Sequence, residues 1–261
     1  MNGLANLHCD NYRSDPDLEF LSEIDNDKMK TLVDLITTGK HGDRLTSSLK
    51  ESAAYQIAYP DNCSKLWQYV AAEIQLYGGD TVINLLRGRR GVLYKEILVD
   101  VAKRMKVNFN KESSTAVIEK QLLDKVLTDV VNKMSDEERK KLAEDINRGA
   151  PSPLVIINAS GVVTAAALIA AIKLVGIHTY YFINTCWQAI AIAILGHGVW
   201  TGAAMRWLAI FAGPAGWVIT ALLTVPLFSA PAYRVTVPAV IFIASFRALK
   251  QMEASGIKST E

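Results

Sequence analysis

The sequence predicts an all-α protein in two parts: a soluble, charged helical domain over residues 1–149, and a hydrophobic, membrane-inserting region of about four helical segments over 150–250. A polar tail, 251–261, follows. Three observations carry this reading. Apolar residues recur at three- and four-residue steps through the first part, as on one face of a helix. No stretch alternates with the period of two that a half-buried strand requires. Charge nearly vanishes after Gly149.

The charge balance makes the division plain. The chain has 28 basic and 26 acidic residues. From Ala150 onward the charged residues are Lys173, Arg206, Arg234, Arg247, Lys250, Glu253, Lys258 and Glu261. Taking those six cations and two anions from the totals leaves 22 basic and 24 acidic residues before the boundary, an ordinary solvated surface.

In the first part, Asp15-Pro16-Asp17 offers a cap, a proline suited to a first turn and an acid favoured by the helix dipole, so a helix is expected through Leu18, Leu21 and Ile24. Asn26 and Asp27 introduce a second, through Met29, Leu32, Val33, Leu35 and Ile36 to Gly39, forming a hairpin with the first. Leu66 to Leu76 keeps the same period up to Gly78-Gly79, and Asp80 can cap a short helix from Thr81 to Arg87. Further helices are expected from Leu93 to Met105 and from Val117 to Val131. Ser135-Asp-Glu-Glu138 is a capping-box pattern that opens a helix running to Asn147.

Catalytic chemistry has no visible home. His8 and His41 stand alone, and no GxSxG, HExxH, P-loop or paired-carboxylate arrangement occurs. Cys9, Cys63 and Cys186 lie far apart without CxxC spacing, so neither a disulfide framework, a zinc site nor any other metal or cofactor is expected. The first residues carry Asp10, Arg13 and Asp15 and no apolar run, so a signal peptide is not expected and synthesis in a reducing cytoplasm is. Arg87, Arg89 and Arg90, set among glycines in Arg87-Gly-Arg-Arg-Gly91, suit phosphate and are candidate lipid-headgroup contacts; a flexible turn with solvated arginines is the alternative. The slightly negative balance of this part argues against nucleic acid as a partner.

Pro151 and Pro153 open the second regime. Uncharged runs of 19, 32, 27 and 12 residues follow at 154–172, 174–205, 207–233 and 235–246, and no carboxylate occurs between Asp145 and Glu253. About 20 apolar residues span a bilayer core. Spans are therefore expected near 154–175, 180–199 and 205–228, with a shorter fourth segment at 235–250 that crosses or lies at the surface. Several aromatic residues stand at span ends, Trp200 and Trp207 among them. Arg139, Lys140, Lys141 and Arg148 before the first span, and Arg247, Lys250 and Lys258 after the last, put both ends in the cytoplasm and require an even number of crossings, four or two.

His197, between Gly196 and Gly198, is a candidate pH-sensing or pore-lining group, as are Lys173, Arg206 and Arg234. Gly196, Gly198 and Gly202 favour close helix packing, Gly213-Pro214-Ala215-Gly216 a bend, and Pro238 an irregularity in the fourth segment.

Several stretches together resemble the YaaW family of bacterial proteins over nearly the whole length. They are Asp17-Leu-Glu-Phe-Leu21, Tyr77-Gly-Gly-Asp80, Leu86-Arg-Gly88, Leu93-Tyr-Lys-Glu-Ile-Leu-Val-Asp-Val101, Leu195-Gly-His-Gly198, Gly213-Pro214 with Gly216, and Ala232-Tyr-Arg-Val-Thr-Val-Pro-Ala-Val240. The resemblance implies a bacterial origin and supplies no activity. The expected function is that of a non-enzymatic protein that inserts into the cytoplasmic (inner) membrane, self-assembles, and permeabilises or gates it; the lipid bilayer is the partner, and a homo-oligomer the assembly. In architecture this resembles the pore-forming colicins. The alternative is a membrane-anchored adaptor or chaperone-like protein whose N-terminal domain binds a protein partner.

Overall fold

The computed structural model describes residues 7–37, 48–78, 91–148, 162–174 and 233–255, and among these the regular structure is helical, with no strand. The expected short helix at 81–87, the spans at 180–199 and 205–228 and the bend at 213–216 lie outside the described residues.

The first expected helix is a strap of tight turns. Asp15 does not cap an α-helix; its carboxylate accepts the Asp17 amide at 3.0 Å while its carbonyl accepts Leu18 N at 2.9 Å. A turn closed at both levels favours i→i+3 bonding, and a 3-10 helix, Glu19–Glu23, follows. Helix α1, Asn26–Thr37, starts where expected, but Asp25 is its cap: the Asp25 carboxylate accepts Lys28 N at 2.9 Å.

Before Leu66, where the sequence shows no sustained apolar period, lie two short helices, α2, Ser48–Glu51, and α3, Ala53–Ala58. The Ser52 hydroxyl accepts Tyr55 N at 3.1 Å to cap α3. A second 3-10 turn, Cys63–Leu66, leads into α4, Trp67–Tyr77. Helices α5, Tyr94–Arg104, and α6, Thr115–Lys133, fall where the apolar period put them. Helix α7, Asp136–Arg148, opens on the expected capping box with both of its bonds present, Glu138 N to the Ser135 hydroxyl at 3.2 Å and Ser135 N to the Glu138 carboxylate at 2.8 Å.

Two helices from the apolar part complete the fold. Helix α8, Ala165–Leu174, is the described portion of the first expected span, and it packs on α6 and α7 through Leu168, Ala171 and Ile172. Helix α9, Tyr233–Ala254, contains the segment expected as the fourth membrane element. It lies instead in the core, enclosed by α1, α4, α5 and α6, with every residue from 235 to 246 buried. Among the described residues it is the one helix long and apolar enough to cross a membrane. Four surrounding helices explain why it needs no polar face: a helix apolar all round is stable wherever something apolar covers it all round. Pro238 lies inside the helix, where it has no amide to donate to the carbonyl four residues before it.

Candidate functional site: a buried polar network beneath the last helix

A few acids interrupt the apolar core, Asp34, Glu73 and Glu119 among them. Glu119 stands on the buried face of α6 with Ile118, Leu122, Val126 and Val130, and is itself only 2% exposed. Burying a carboxylate without partners costs several kcal/mol, so what surrounds it decides whether the fold tolerates it. Tyr94, wholly buried at the start of α5, donates its hydroxyl to Glu119 Oε1 at 2.8 Å. Arg247, from the last third of α9, forms an ion pair with Oε2 at 2.7 Å from its Nε. Its guanidinium also donates through Nη2 to the Asp17 carbonyl and lies 4.2 Å from the Phe20 ring centroid.

The strap anchors the same network from the other side. Asp17 accepts the Thr115 hydroxyl of α6 at 2.6 Å, and Asp15 accepts the backbone amide of Tyr94 at 2.7 Å, so these two carboxylates serve the first turns of α6 and α5. Gln75 of α4 stitches the strap further along, accepting Arg13 N at 3.1 Å and donating to Arg13 O at 2.8 Å. Gly91 lies against Gln75 with φ of 45°, and a β-carbon there would stand 2.4 Å from the Gln75 carbonyl carbon.

Burial is the largest influence on Glu119 and raises its pKa, while Arg247 and the Tyr94 hydroxyl oppose it. Burial and the adjacent Glu119 carboxylate push the Tyr94 phenol well above its ordinary value. A second buried acid, Glu73 of α4, accepts the Leu49 amide at 2.7 Å and the Ser48 hydroxyl, and burial raises its pKa too. Glu119 Oε2 and Arg247 Nε meet as an ion pair without an aligned hydrogen bond, and the arrangement is that of a clasp joining the strap, α5, α6 and α9. Among the described residues no three His, Cys, Asp or Glu side chains converge as a metal site.

The sequence-level candidates fall elsewhere. Lys173 is on the surface at the end of α8 and pairs with Asp124 of α6 at 3.0 Å. Arg234 is in the first turn of α9, its side chain outside the described set. Arg87, Arg89, Arg90, His197, Arg206, Gly196, Gly198, Gly202, Gly213, Pro214 and Gly216 lie outside the described residues. Reading the sequence missed the clasp, although a signal existed: Glu119, Leu122, Val126 and Val130 share one helical face, which puts an acid in an apolar stripe. Two of the stretches that carry the family resemblance meet here, one through Asp17 and Phe20 and the other through Tyr94, and a third supplies Tyr233 nearby. Tyr233 donates to Asp100 of α5 at 2.6 Å.

The family described as Domain of unknown function (DUF3944) matches residues 12–45, the strap and α1 with the stretch that follows. A UPF0174 protein of Helicobacter pylori strain J99 is 32% identical over 252 residues, covering 95% of this chain and 97% of that one. Another from the same strain is 37% identical over 207 residues, 78% of this chain and 97% of its own. UPF0174 protein YaaW of Escherichia coli K12 is 32% identical over 245 residues, 91% and 95% of the two chains. No solved structure matches the chain. Likeness at this level across nearly all of both chains places the protein in the UPF0174 family, to which YaaW of Escherichia coli belongs.

Proposed function

We propose that this protein is a non-enzymatic membrane-inserting protein, whose helical domain stays on the cytoplasmic side while an apolar hairpin enters the bilayer, self-assembles there and permeabilises or gates it. The observation that supports this most is where the ends of the apolar stretch are held. Residues 175–232 contain a single formal charge, Arg206. The helix before them, α8, and the helix after them, α9, both pack on α6 of one domain. An insertion whose two ends belong to one folded body crosses a membrane an even number of times, and the stretch has room for two spans, 180–199 and 205–228.

On this reading the turn between the spans falls near Thr201 to Arg206, with Trp200 and Trp207 at the headgroup level of the far leaflet and Arg206 snorkelling beside them. Gly196, Gly198 and Gly202 let neighbouring hairpins approach closely, which favours a homo-oligomer. His197 then sits near the far end of the first span, and Arg87, Arg89 and Arg90 contact anionic headgroups from the domain side.

The test is release of dye and potassium from anionic liposomes on adding the purified full-length protein. Protein-dependent leakage, abolished by Gly198→Leu or by an aspartate placed mid-span at Ala191, is the expected result. Stable incorporation without leakage overturns permeabilisation and favours the anchored adaptor.

A further inference from the structure

Helix α5 ends on a lysine where backbone geometry favours glycine. Lys106, just past the last turn, takes φ of 56°, in the left-handed region. Its amide donates to Lys103 O at 3.0 Å, and the Val107 amide donates to Ala102 O at 2.9 Å, the two bonds of a helix end built around a left-handed residue. A β-carbon crowds the following carbonyl in that region, so glycine is the favoured occupant and lysine is strained there. The helix dipole is a weak reason for a cation at this point, because Lys103 and Arg104 already stand in the last turn. Strain retained at an exposed charged residue points to a use for its charge.

The surroundings suit one kind of partner. Lys103 and Lys106 are exposed, and Arg104 is half-buried with its Cζ 5.2 Å from the centre of the Tyr233 ring. Asp100, one turn earlier, accepts the Tyr233 hydroxyl at 2.6 Å. The end of α5 is therefore a basic patch set around an aromatic ring. Tyr233 also gives the patch its place, since it is where the chain rejoins the domain after residues 175–232. On the reading that this stretch enters lipid, on which the inference rests, the second span ends near residue 228. Five residues cover at most about 17 Å when extended, so the patch stands within that distance of the hydrocarbon edge, in reach of the headgroup layer.

We propose that Lys103 and Lys106 bind the phosphates of anionic lipid headgroups where the apolar stretch returns to the domain, and that lysine is kept in the strained position for its charge. A compact ammonium on a long, flexible stem fits a layer that presents phosphate at varying depths, while Arg104 and Tyr233 fix the end of α5 against the start of α9.

Flotation of the full-length protein with vesicles tests this, using phosphatidylcholine alone and phosphatidylcholine mixed with phosphatidylglycerol. The parent should partition more strongly into the anionic vesicles. Each lysine contributes about fivefold at an anionic surface, so Lys103→Gln with Lys106→Gln should reduce that preference by about tenfold or more and leave partition into phosphatidylcholine alone unchanged. Lys106→Gly separates binding from folding, because it relieves the strain as it removes the charge. It should raise the urea midpoint of unfolding while weakening anionic binding by about fivefold. An anionic preference that persists in both variants overturns the headgroup contact and leaves insertion standing. Partition of the parent into neither kind of vesicle overturns insertion, and the headgroup contact with it.

Discussion

Arg247 reaches Glu119, Asp17 and Phe20 at once, so the consequences of removing it depend on what remains opposite. Arg247→Met alone leaves a buried carboxylate without its cation and should cost about 3–5 kcal/mol of stability in denaturant unfolding. Arg247→Met together with Glu119→Leu removes both charges and should unfold within about 1 kcal/mol of the parent, since an apolar replacement of a buried pair is often neutral. Burial holds Glu73 and Glu119 above their ordinary pKa, so the folded chain binds those protons more tightly than the unfolded one. The stability linked to them is complete below the ordinary value of 4.5 and is lost as pH rises through the raised folded value. Thermal melts across that window should therefore show Glu73→Gln losing less stability with rising pH than the parent does.

At the level of single helices, local chemistry and tertiary packing divided the outcome. The capping box at Ser135 was legible because its two bonds are made within four residues, and Ser135→Ala should lower stability by about 1 kcal/mol in the same unfolding measurement. Helices α4, α5 and α6 were equally legible from their apolar period. The strap was not: Asp15-Pro16-Asp17 reads as a helix start, yet the Asp15 carboxylate is drawn to the amide of Tyr94, 79 residues away, a partner no local pattern reveals. The clasp stayed hidden for the same reason, its members coming from four separate segments. For α9 the composition was read correctly and its surroundings were not, since a core helix and a membrane segment are alike in sequence when both are apolar all round. Removing everything after residue 149 takes α8 and α9 away and exposes the faces of α1, α4, α5, α6 and α7 that cover them. That fragment should lack the cooperative melting transition, followed by circular dichroism, that the full chain shows.

For the molecule as a whole, the charge asymmetry between its two parts takes on a second meaning. Lys173, Arg247 and Lys250, which read as membrane-flanking cations, pair with Asp124, Glu119 and Glu23 of the N-terminal helices. These contacts tie the helices on either side of the apolar stretch to one domain, the observation on which the proposed even number of crossings rests. The most direct test labels single cysteines in intact cells with a membrane-impermeant maleimide, in a chain otherwise free of cysteine. Ala203→Cys, at the proposed turn between the two proposed spans, should label from outside, while Lys173→Cys and Ser255→Cys should label only after lysis. Labelling of residue 203 only after lysis would contradict insertion as a crossing hairpin, and labelling of 173 and 255 on opposite sides would contradict the single domain that holds both ends.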